Sequence, residues 1–221
     1  MNLPSEHKGI VPLRVLANEI SGEKIADWLN EGATVLLPTE TVYGLAIKPG
    51  ELSRTQRVFD LKGRPDELNL PVLIGSPDQL ADLGVDFDPT ARVLASRFWP
   101  GPLTIVMGFA SGNKRPSWLA GRVEVAIRLP GLKLLRDAAI AAGPILVTSA
   151  NGHGAGPKRV VSEAVESLHG PVDLIVDGGT LSPLPSTIIN TRLSPPLIER
   201  VGAIKPAEIE ELIGEARLET S

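Results

Sequence analysis

Residues 33–45 read ATVLLPTETVYGL, an apolar run that stops at a proline and continues into polar residues. The apolar part, 33–37, is short and is typical of a buried strand. Polar side chains at the end of a strand commonly face a ligand crevice in α/β folds, so the Thr, Glu and Tyr side chains of 39–43 are candidate site residues. The alternative is a strand-to-helix connection in which these side chains satisfy backbone groups. The residues of this segment alone leave both interpretations open.

The rest of the chain alternates apolar runs with amphipathic stretches, as α/β proteins do. Strands are predicted at 33–37, 71–75, 103–109, 123–129, 144–148, 172–176, 187–190 and 195–201. Helices are predicted at 14–30 (with a break near Gly22), 53–61, 77–83, 90–98, 132–142, 161–168 and 206–213. No helix separates strands 103–109 and 123–129, so we expect a mixed parallel and antiparallel sheet with flanking helices. Since no linker or repeat interrupts the chain, we predict one α/β domain.

Composition excludes several classes of site. The 221 residues include no cysteine, which rules out disulfides, thiolate zinc sites and cysteine nucleophiles. Lys and Arg number 22 against 26 Asp and Glu, and residues 207–221 alone hold five Glu and one Arg. The preceding body is therefore balanced and gives no general signal of nucleic-acid binding. No apolar run reaches the roughly 18 residues of a transmembrane helix, so we expect no membrane association. The absence of cysteine fits a reducing compartment, and we expect a cytoplasmic location.

Two cations stand one residue apart in the segment KGRP, at the end of the predicted helix 53–61. Lys62 offers a point charge and Arg64 a planar fork, and together they could hold a phosphate group. The alternative is that cations at a helix C-terminus simply complement its dipole.

Three further segments place polar residues at strand ends. Arg128 interrupts an apolar strand, and alternation alone does not decide between solvent and a cleft. The sequence TSANG at 148–152 follows another strand, where small side chains would let the backbone approach a phosphate, or would form a polar turn. Ser186 precedes strand 187–190, and Arg200 follows ten residues after Asn190, an arrangement that would suit closure around a ligand.

Taken in order, these motifs resemble one family. The order is PTETVYGL (38–45), KGRP (62–65), FWPGPLT (98–104), VAIRLP (125–130), TSAN (148–151), DGG (177–179), STIIN (186–190) and an ending from Glu199 to Ile204. The set resembles the YrdC/Sua5 family of threonylcarbamoyl-AMP synthases. The resemblance covers 14–213, which leaves 1–13 as an N-terminal extension and 214–221 as an acidic tail. We expect the Glu-rich end to be an exposed helix face, and the chain to be of the short, single-domain type.

The resemblance implies a fold, a reaction and partners. The family fold is a twisted α/β sheet around a large concave cleft. The family reaction forms threonylcarbamoyl-AMP and pyrophosphate from ATP, L-threonine and bicarbonate, for the t6A modification of tRNA. Mg²⁺ would be held mainly by the ATP phosphates, with no metal ligand from the protein. Expected partners are the proteins that transfer the threonylcarbamoyl group to tRNA, with weak RNA binding as a further expectation.

The resemblance also implies roles for individual residues. It makes Lys62 and Arg64 catalytic. ATP would contact Arg64, Ser149, Asn151 and Arg200. Threonine would contact Thr41, Arg128 and Ser186.

The chain departs from its relatives at positions near the threonine site. Leu68 stands where many relatives have Asn or Lys, and Leu73 stands where some have a threonine-contacting His. Two alternatives therefore stay open. One is a carbamoyl-adenylate enzyme with a different acceptor, and the other is a non-catalytic module that binds RNA or the ribosome.

Overall fold

One sheet organises the chain in a computed structural model that describes residues 11–63, 70–152, 156, 158–181 and 184–219. Its strands are β1 (Leu13–Leu16), β2 (Val35–Leu37), β3 (Gly44–Ile47), β4 (Val72–Leu73), β5 (Leu103–Met107), β6 (Val125–Arg128), β7 (Ile145–Ser149), β8 (Leu174–Asp177), β9 (Thr187–Asn190), β10 (Leu197–Arg200) and β11 (Arg217–Leu218). The order across the sheet is β1-β8-β2-β3-β7-β4-β6-β5-β9-β10-β11.

The helices are α1 (Gly22–Asn30), α2 (Leu52–Lys62), α3 (Gln79–Leu83), α4 (Pro89–Phe98), α5 (Lys133–Ala142), α6 (Val161–Glu166) and α7 (Pro206–Ile213), with a 3₁₀ turn at Ser117–Leu119. Parallel pairs such as β5/β9 alternate with antiparallel pairs such as β5/β6 and β9/β10. The predicted mixed α/β sheet is therefore confirmed.

The predicted helix 14–30 is wrong in its first part. Leu13–Leu16 forms β1, which pairs in parallel with β8, and α1 begins only at Gly22. The Ser21 hydroxyl oxygen starts the helix by accepting a hydrogen bond from the Lys24 N–H at 3.3 Å. The next residue after Ser21 must be glycine, because a Cβ at Gly22 would lie 2.6 Å from the backbone nitrogen of Ala138 in α5. The apparent helical spacing thus spans two elements.

The sequence analysis did not predict strand β3. Because β3 follows β2 in the chain, segment 38–43 joins two strands and is not a strand-to-helix connection. Its partner β2 runs antiparallel, with Val35 opposite Ala46 and Leu37 opposite Gly44. The connection is longer than the tight two-residue turns by which hairpins are recognised in a sequence.

The Glu-rich end is helical only as far as Ile213. Gly214 adopts a φ of +85° and ends α7, as glycine commonly does at helix C-termini. Arg217–Leu218 then forms β11, which pairs in parallel with β10. The expectation of an exposed helix face is therefore wrong for these last residues.

The two faces of the sheet are covered differently. One face packs on α2, α4 and α7, and β5 contributes Leu103, Ile105 and Met107 to it. On the other face, α1 and α5 cover β2, β3, β7 and β8. Because alternate side chains point to opposite faces, this second face continues over β5, β6, β9 and β10, where it lines an open cleft. Within the described part of the chain, no helix is both long and apolar enough to cross a bilayer.

Candidate active site

The cleft has a volume of about 640 Å³, within the range of about 300–1,000 Å³ typical of small-molecule sites. Its side chains change in character along the floor. Arg128, Thr104, Ser186 and Arg200 lie at one end, apolar side chains lie in the middle, and two carboxylates lie at the other end. The apolar side chains are Val106 and Ala126, which face each other on β5 and β6, and Ile188 of β9, which pairs in register with Thr104 and Arg200. The cleft therefore offers a cationic end, an apolar platform and an acidic end.

Thr39 shapes the loop that borders the cationic end. Its hydroxyl oxygen accepts hydrogen bonds from the N–H groups of Thr41 and Val42, both at 3.0 Å, and donates to the Val42 carbonyl at 2.7 Å. A short polar side chain of this kind satisfies backbone groups in a tight turn. The turn places the Thr41 hydroxyl, which is 2.8 Å from that of Thr39, on the cleft wall.

Arg128 ends β6 and lines the cleft. Of the two orientations that the sequence left open, solvent or a cleft, the side chain therefore takes the second. Its Nε donates to the carbonyl of Gly101 at 3.1 Å, and its Nη1 donates to the Thr41 hydroxyl at 3.2 Å. Its Nη2 forms an ion pair with Glu40 Oε1 at 2.7 Å.

Glu40 is one of the candidate polar residues of 39–43, but the resemblance to the family assigned no role to it. Its Oε1 accepts a hydrogen bond from the Gly131 N–H at 2.6 Å and faces Arg128. Burial raises the pKa of the Glu40 carboxyl, but the Arg128 charge and the Gly131 N–H outweigh it and leave the pKa below its ordinary value. Glu40 is therefore a carboxylate at neutral pH. Its position between two threonines of the PTETVYG segment was the one available signal.

Ser186, Thr104 and Arg200 form the far side of the cationic end. The hydroxyls of Ser186 and Thr104 lie 2.9 Å apart, and both residues are buried. Arg200 donates from Nη2 to the Ser186 hydroxyl at 2.9 Å. Burial lowers the pKa of the Arg200 guanidinium, and the charge of nearby Arg128 lowers it further. Arg200 nevertheless remains a cation at neutral pH.

Lys62 ends α2 and lies behind the end of β7. The residue is 3% exposed, and its ammonium group donates to the Ser149 carbonyl and to the Thr148 hydroxyl, the latter at 3.3 Å. Ser149 and Asn151 line the cleft directly, and the Asn151 amide donates to the Gly152 carbonyl at 3.2 Å. Lys62 therefore holds the segment that carries two predicted ATP contacts.

The acidic end consists of Glu124 and Glu199, joined through Asn190. The Asn190 amide nitrogen lies 2.8 Å from Glu199 Oε1 and 3.5 Å from Glu124 Oε2. Glu124 also forms an ion pair with Arg192. No three His, Cys, Asp or Glu side chains converge as a metal cage in the described ranges. The Mg²⁺ carried by ATP stays a prediction.

Tyr43 fastens the loop 38–43 to the DGG segment after β8. Its hydroxyl donates to the carbonyl of Gly179 at 2.8 Å and accepts from the Gly178 N–H at 3.0 Å. Burial raises the pKa of this phenol. Asp177 lies 2.7 Å from Arg14 of β1, and its hydrogen bonds with Arg14 and the Gly179 N–H lower its pKa. The PTETVYG and DGG segments, which are distant in sequence, are thus joined by hydrogen bonds of Tyr43.

The structure brings most of the predicted site residues together. Six of them line the one cleft, namely Thr41, Arg128, Ser149, Asn151, Ser186 and Arg200. Lys62 adjoins it through Ser149. Leu73 also lines the cleft and pairs in register with Arg128. Arg64 and Leu68 lie outside the described residues.

Comparison with known proteins gives a consistent result. A model of the Sua5/YciO/YrdC family, described as "Telomere recombination", matches residues 27–202. A threonylcarbamoyl-AMP synthase of Pyrococcus abyssi is 35% identical over 207 residues, which is 89% of this chain and 60% of that protein. A threonylcarbamoyl-AMP synthase of Bacillus subtilis is 35% identical over 191 residues, covering 84% of this chain and 54% of that protein.

A solved structure is also similar. The crystal structure of P. abyssi Sua5 complexed with L-threonine superposes with a TM-score of 0.81 at 34% identity, covering 95% of this chain and 62% of that one. The chain thus spans about three fifths or less of the length of these relatives. The family model alone covers well over half of the sequence. The chain therefore belongs to the Sua5/YciO/YrdC family.

Proposed function

We propose that this chain is an L-threonylcarbamoyladenylate synthase, which forms threonylcarbamoyl-AMP and pyrophosphate from ATP, L-threonine and bicarbonate. The observation that carries the proposal is the convergence of Thr41, Arg128, Ser149, Ser186 and Arg200 on one cleft. The printed names of the relatives support the same activity, and one of those relatives was crystallised with L-threonine.

The threonine carboxylate would bind at Arg128. Arg128 lines the cleft, and the Gly101 carbonyl, the Thr41 hydroxyl and Glu40 engage only part of the five N–H donors of its guanidinium, so donors remain for a ligand carboxylate. Thr41 accepts from Nη1 of the same guanidinium, and its side chain lines the cleft beside this position. Ser186, across the cleft floor, would contact the remainder of the amino acid.

ATP would lie along the floor of the cleft. The purine would rest on the apolar platform of Ala126, Val106 and Ile188, because a flat apolar surface suits a planar base. The phosphates would lie near Arg200, Ser149 and Asn151, with Arg64 as a further cation from the KGRP segment. Lys62 would add positive charge behind Ser149.

The chemistry needs positioning and charge stabilisation, with no protein nucleophile. The threonine amine attacks the carbon of bicarbonate, and the carbamate forms with loss of water. A carbamate oxygen then attacks the α-phosphorus of ATP, and the bond from that phosphorus to the bridging oxygen breaks, so pyrophosphate leaves with its Mg²⁺. Guanidinium groups beside the phosphates would stabilise the charge that develops there. Mg²⁺ enters as part of the substrate MgATP.

The test is pyrophosphate release from MgATP with each co-substrate omitted in turn. We expect release only when both L-threonine and bicarbonate are present. Release with a different amino acid in place of threonine would identify the alternative acceptor, and Leu73 would be the first residue to examine. Absence of release from folded protein under all conditions would refute the proposal. In the proposed reaction, threonylcarbamoyl-AMP would pass to proteins that transfer the threonylcarbamoyl group to tRNA.

A further inference from the structure

The pair formed by Arg128 and Glu40 bears on which ligands the cleft accepts, an inference that rests on the proposed function. The two side chains are 8% and 22% exposed, and Arg128 Nη2 lies 2.7 Å from Glu40 Oε1. Water therefore screens their charges weakly. Arg128 lines the cleft, whereas Glu40 lies behind it and is held by the Gly131 N–H.

Glu40 contributes charge more than it contributes orientation. Arg128 is already fixed from two other directions, by the Gly101 carbonyl on Nε and the Thr41 hydroxyl on Nη1. Glu40 is not needed to define the plane of the guanidinium. What it adds is a negative charge, so the Arg128–Glu40 pair is neutral as a whole, and Arg200 supplies the net positive charge of this end of the cleft.

We propose that Glu40 is a specificity-determining residue that makes the Arg128 end of the cleft select zwitterionic amino acids over simple carboxylate anions. A zwitterion carries no net charge and is not repelled as a whole by Glu40. A carboxylate without an amine brings net negative charge to a weakly screened wall that already holds a carboxylate, which disfavours it. The excluded ligands include 2-hydroxy acids, which resemble threonine in shape but lack the amine that the reaction requires.

The test compares two ligands on two proteins. Glu40→Gln keeps the shape of the side chain and an oxygen that can accept from Gly131, and it removes the charge. L-threonine and its 2-hydroxy analogue are titrated calorimetrically into the wild-type chain and the variant. Wild type should prefer threonine, and the variant should narrow the ratio of the two dissociation constants about tenfold, chiefly by binding the anion more tightly.

A matched control removes an arginine–glutamate pair outside the cleft. Glu51 Oε1 lies 2.7 Å from Arg54 Nη2, and the Glu51 side chain is 64% exposed, so Glu51→Gln should leave the ratio unchanged. If Glu40→Gln leaves the ratio at its wild-type value, or weakens both ligands by the same factor, Glu40 has a structural role only and the selectivity proposal is overturned. If wild type binds no threonine at all, the proposed function fails together with it.

Discussion

The Arg200 guanidinium donates hydrogen bonds to both the backbone carbonyl and the side-chain hydroxyl of Ser186. Nε and Nη2 donate to the Ser186 carbonyl at 3.0 and 2.9 Å, and Nη2 also donates to the hydroxyl at 2.9 Å. Ser186 directly precedes β9 and Arg200 ends β10, so the contact holds the two strands together at the cationic end of the cleft. One side chain therefore both shapes the cleft and supplies positive charge to it.

Arg200→Lys should weaken the use of ATP. Lysine keeps the charge but lacks the planar fork that reaches both acceptors of Ser186. We expect the KM for ATP to rise about tenfold, with a smaller effect on kcat. The control is Arg97→Lys. Arg97 is exposed and lies over the Phe98 ring, away from the cleft. An unchanged KM for ATP would show that Arg200 does not contact the nucleotide.

Gly202→Ala should destabilise the protein through the same region. A Cβ at this position would lie 2.5 Å from the carbonyl carbon of Ser186, and backbone atoms do not yield cheaply. We expect a loss of about 1–3 kcal/mol in the free energy of unfolding, measured by urea denaturation. Among the described residues, nothing lies within 4 Å of a Cβ at Gly156, so Gly156→Ala should be close to neutral. Equal stability of the two variants would contradict this packing.

Arg128→Lys should act on threonine and spare ATP. The lysine ammonium cannot donate to Gly101 and Thr41 while also presenting a second N–H pair to a carboxylate. The KM for threonine should rise by about ten- to a hundredfold, while the KM for ATP stays within about twofold of wild type. Steady-state kinetics with one substrate varied at a time separates the two. An equal rise in the KM for threonine and the KM for ATP would argue against a threonine carboxylate at Arg128.

The Glu40–Arg128 pair should make stability depend on pH. The pKa of Glu40 is lowered from its ordinary value of 4.5 in the folded state, so the carboxylate binds its proton less readily than in the unfolded chain. Its stabilising contribution is complete above about pH 4.5 and is lost as the pH falls through the lowered folded value. The melting temperatures of wild type and Glu40→Gln should therefore differ at pH 7 and converge on acidification. A difference that stayed constant with pH would exclude a charge effect.

Arg64→Ala should reduce pyrophosphate release by about 10²–10³-fold, on the expectation that a cation near the transferring phosphate is lost. The prediction follows from the KGRP segment, and Lys62 at its start already adjoins Ser149. Thermal melting should show little change in stability. Full activity in this variant would remove Arg64 from the site.

The mixed α/β class was predictable because its signals are local, and the resemblance carried by the ordered motifs singled out the six residues that line the cleft. Apolar runs mark the strands of the sheet centre, and short motifs mark the strand ends that carry Thr41, Ser149 and Ser186. Edge strands β1 and β11 lack such a signal because they are short and exposed. Their pairing depends on β8 and β10, which are distant or separated by a helix in the sequence.

Glu40 shows why the role of a candidate residue was not predictable. Its importance arises from Arg128 and Gly131, about ninety residues further along the chain. Lys62 illustrates a related limit. Its motif predicted a phosphate contact, but burial against Thr148 and Ser149 makes its immediate partner the protein itself. Residue type suggested the chemistry, and only the fold showed what each group touches.

The most direct test of the proposed reaction is to identify its product. The chain is incubated with MgATP, L-threonine and ¹³C-labelled bicarbonate, and the mixture is analysed at once by mass spectrometry. Synthase activity predicts an adenylate that contains threonine and one labelled carbon, formed together with pyrophosphate. An adenylate without the label, or ATP left intact by folded protein with all substrates present, would contradict the assignment.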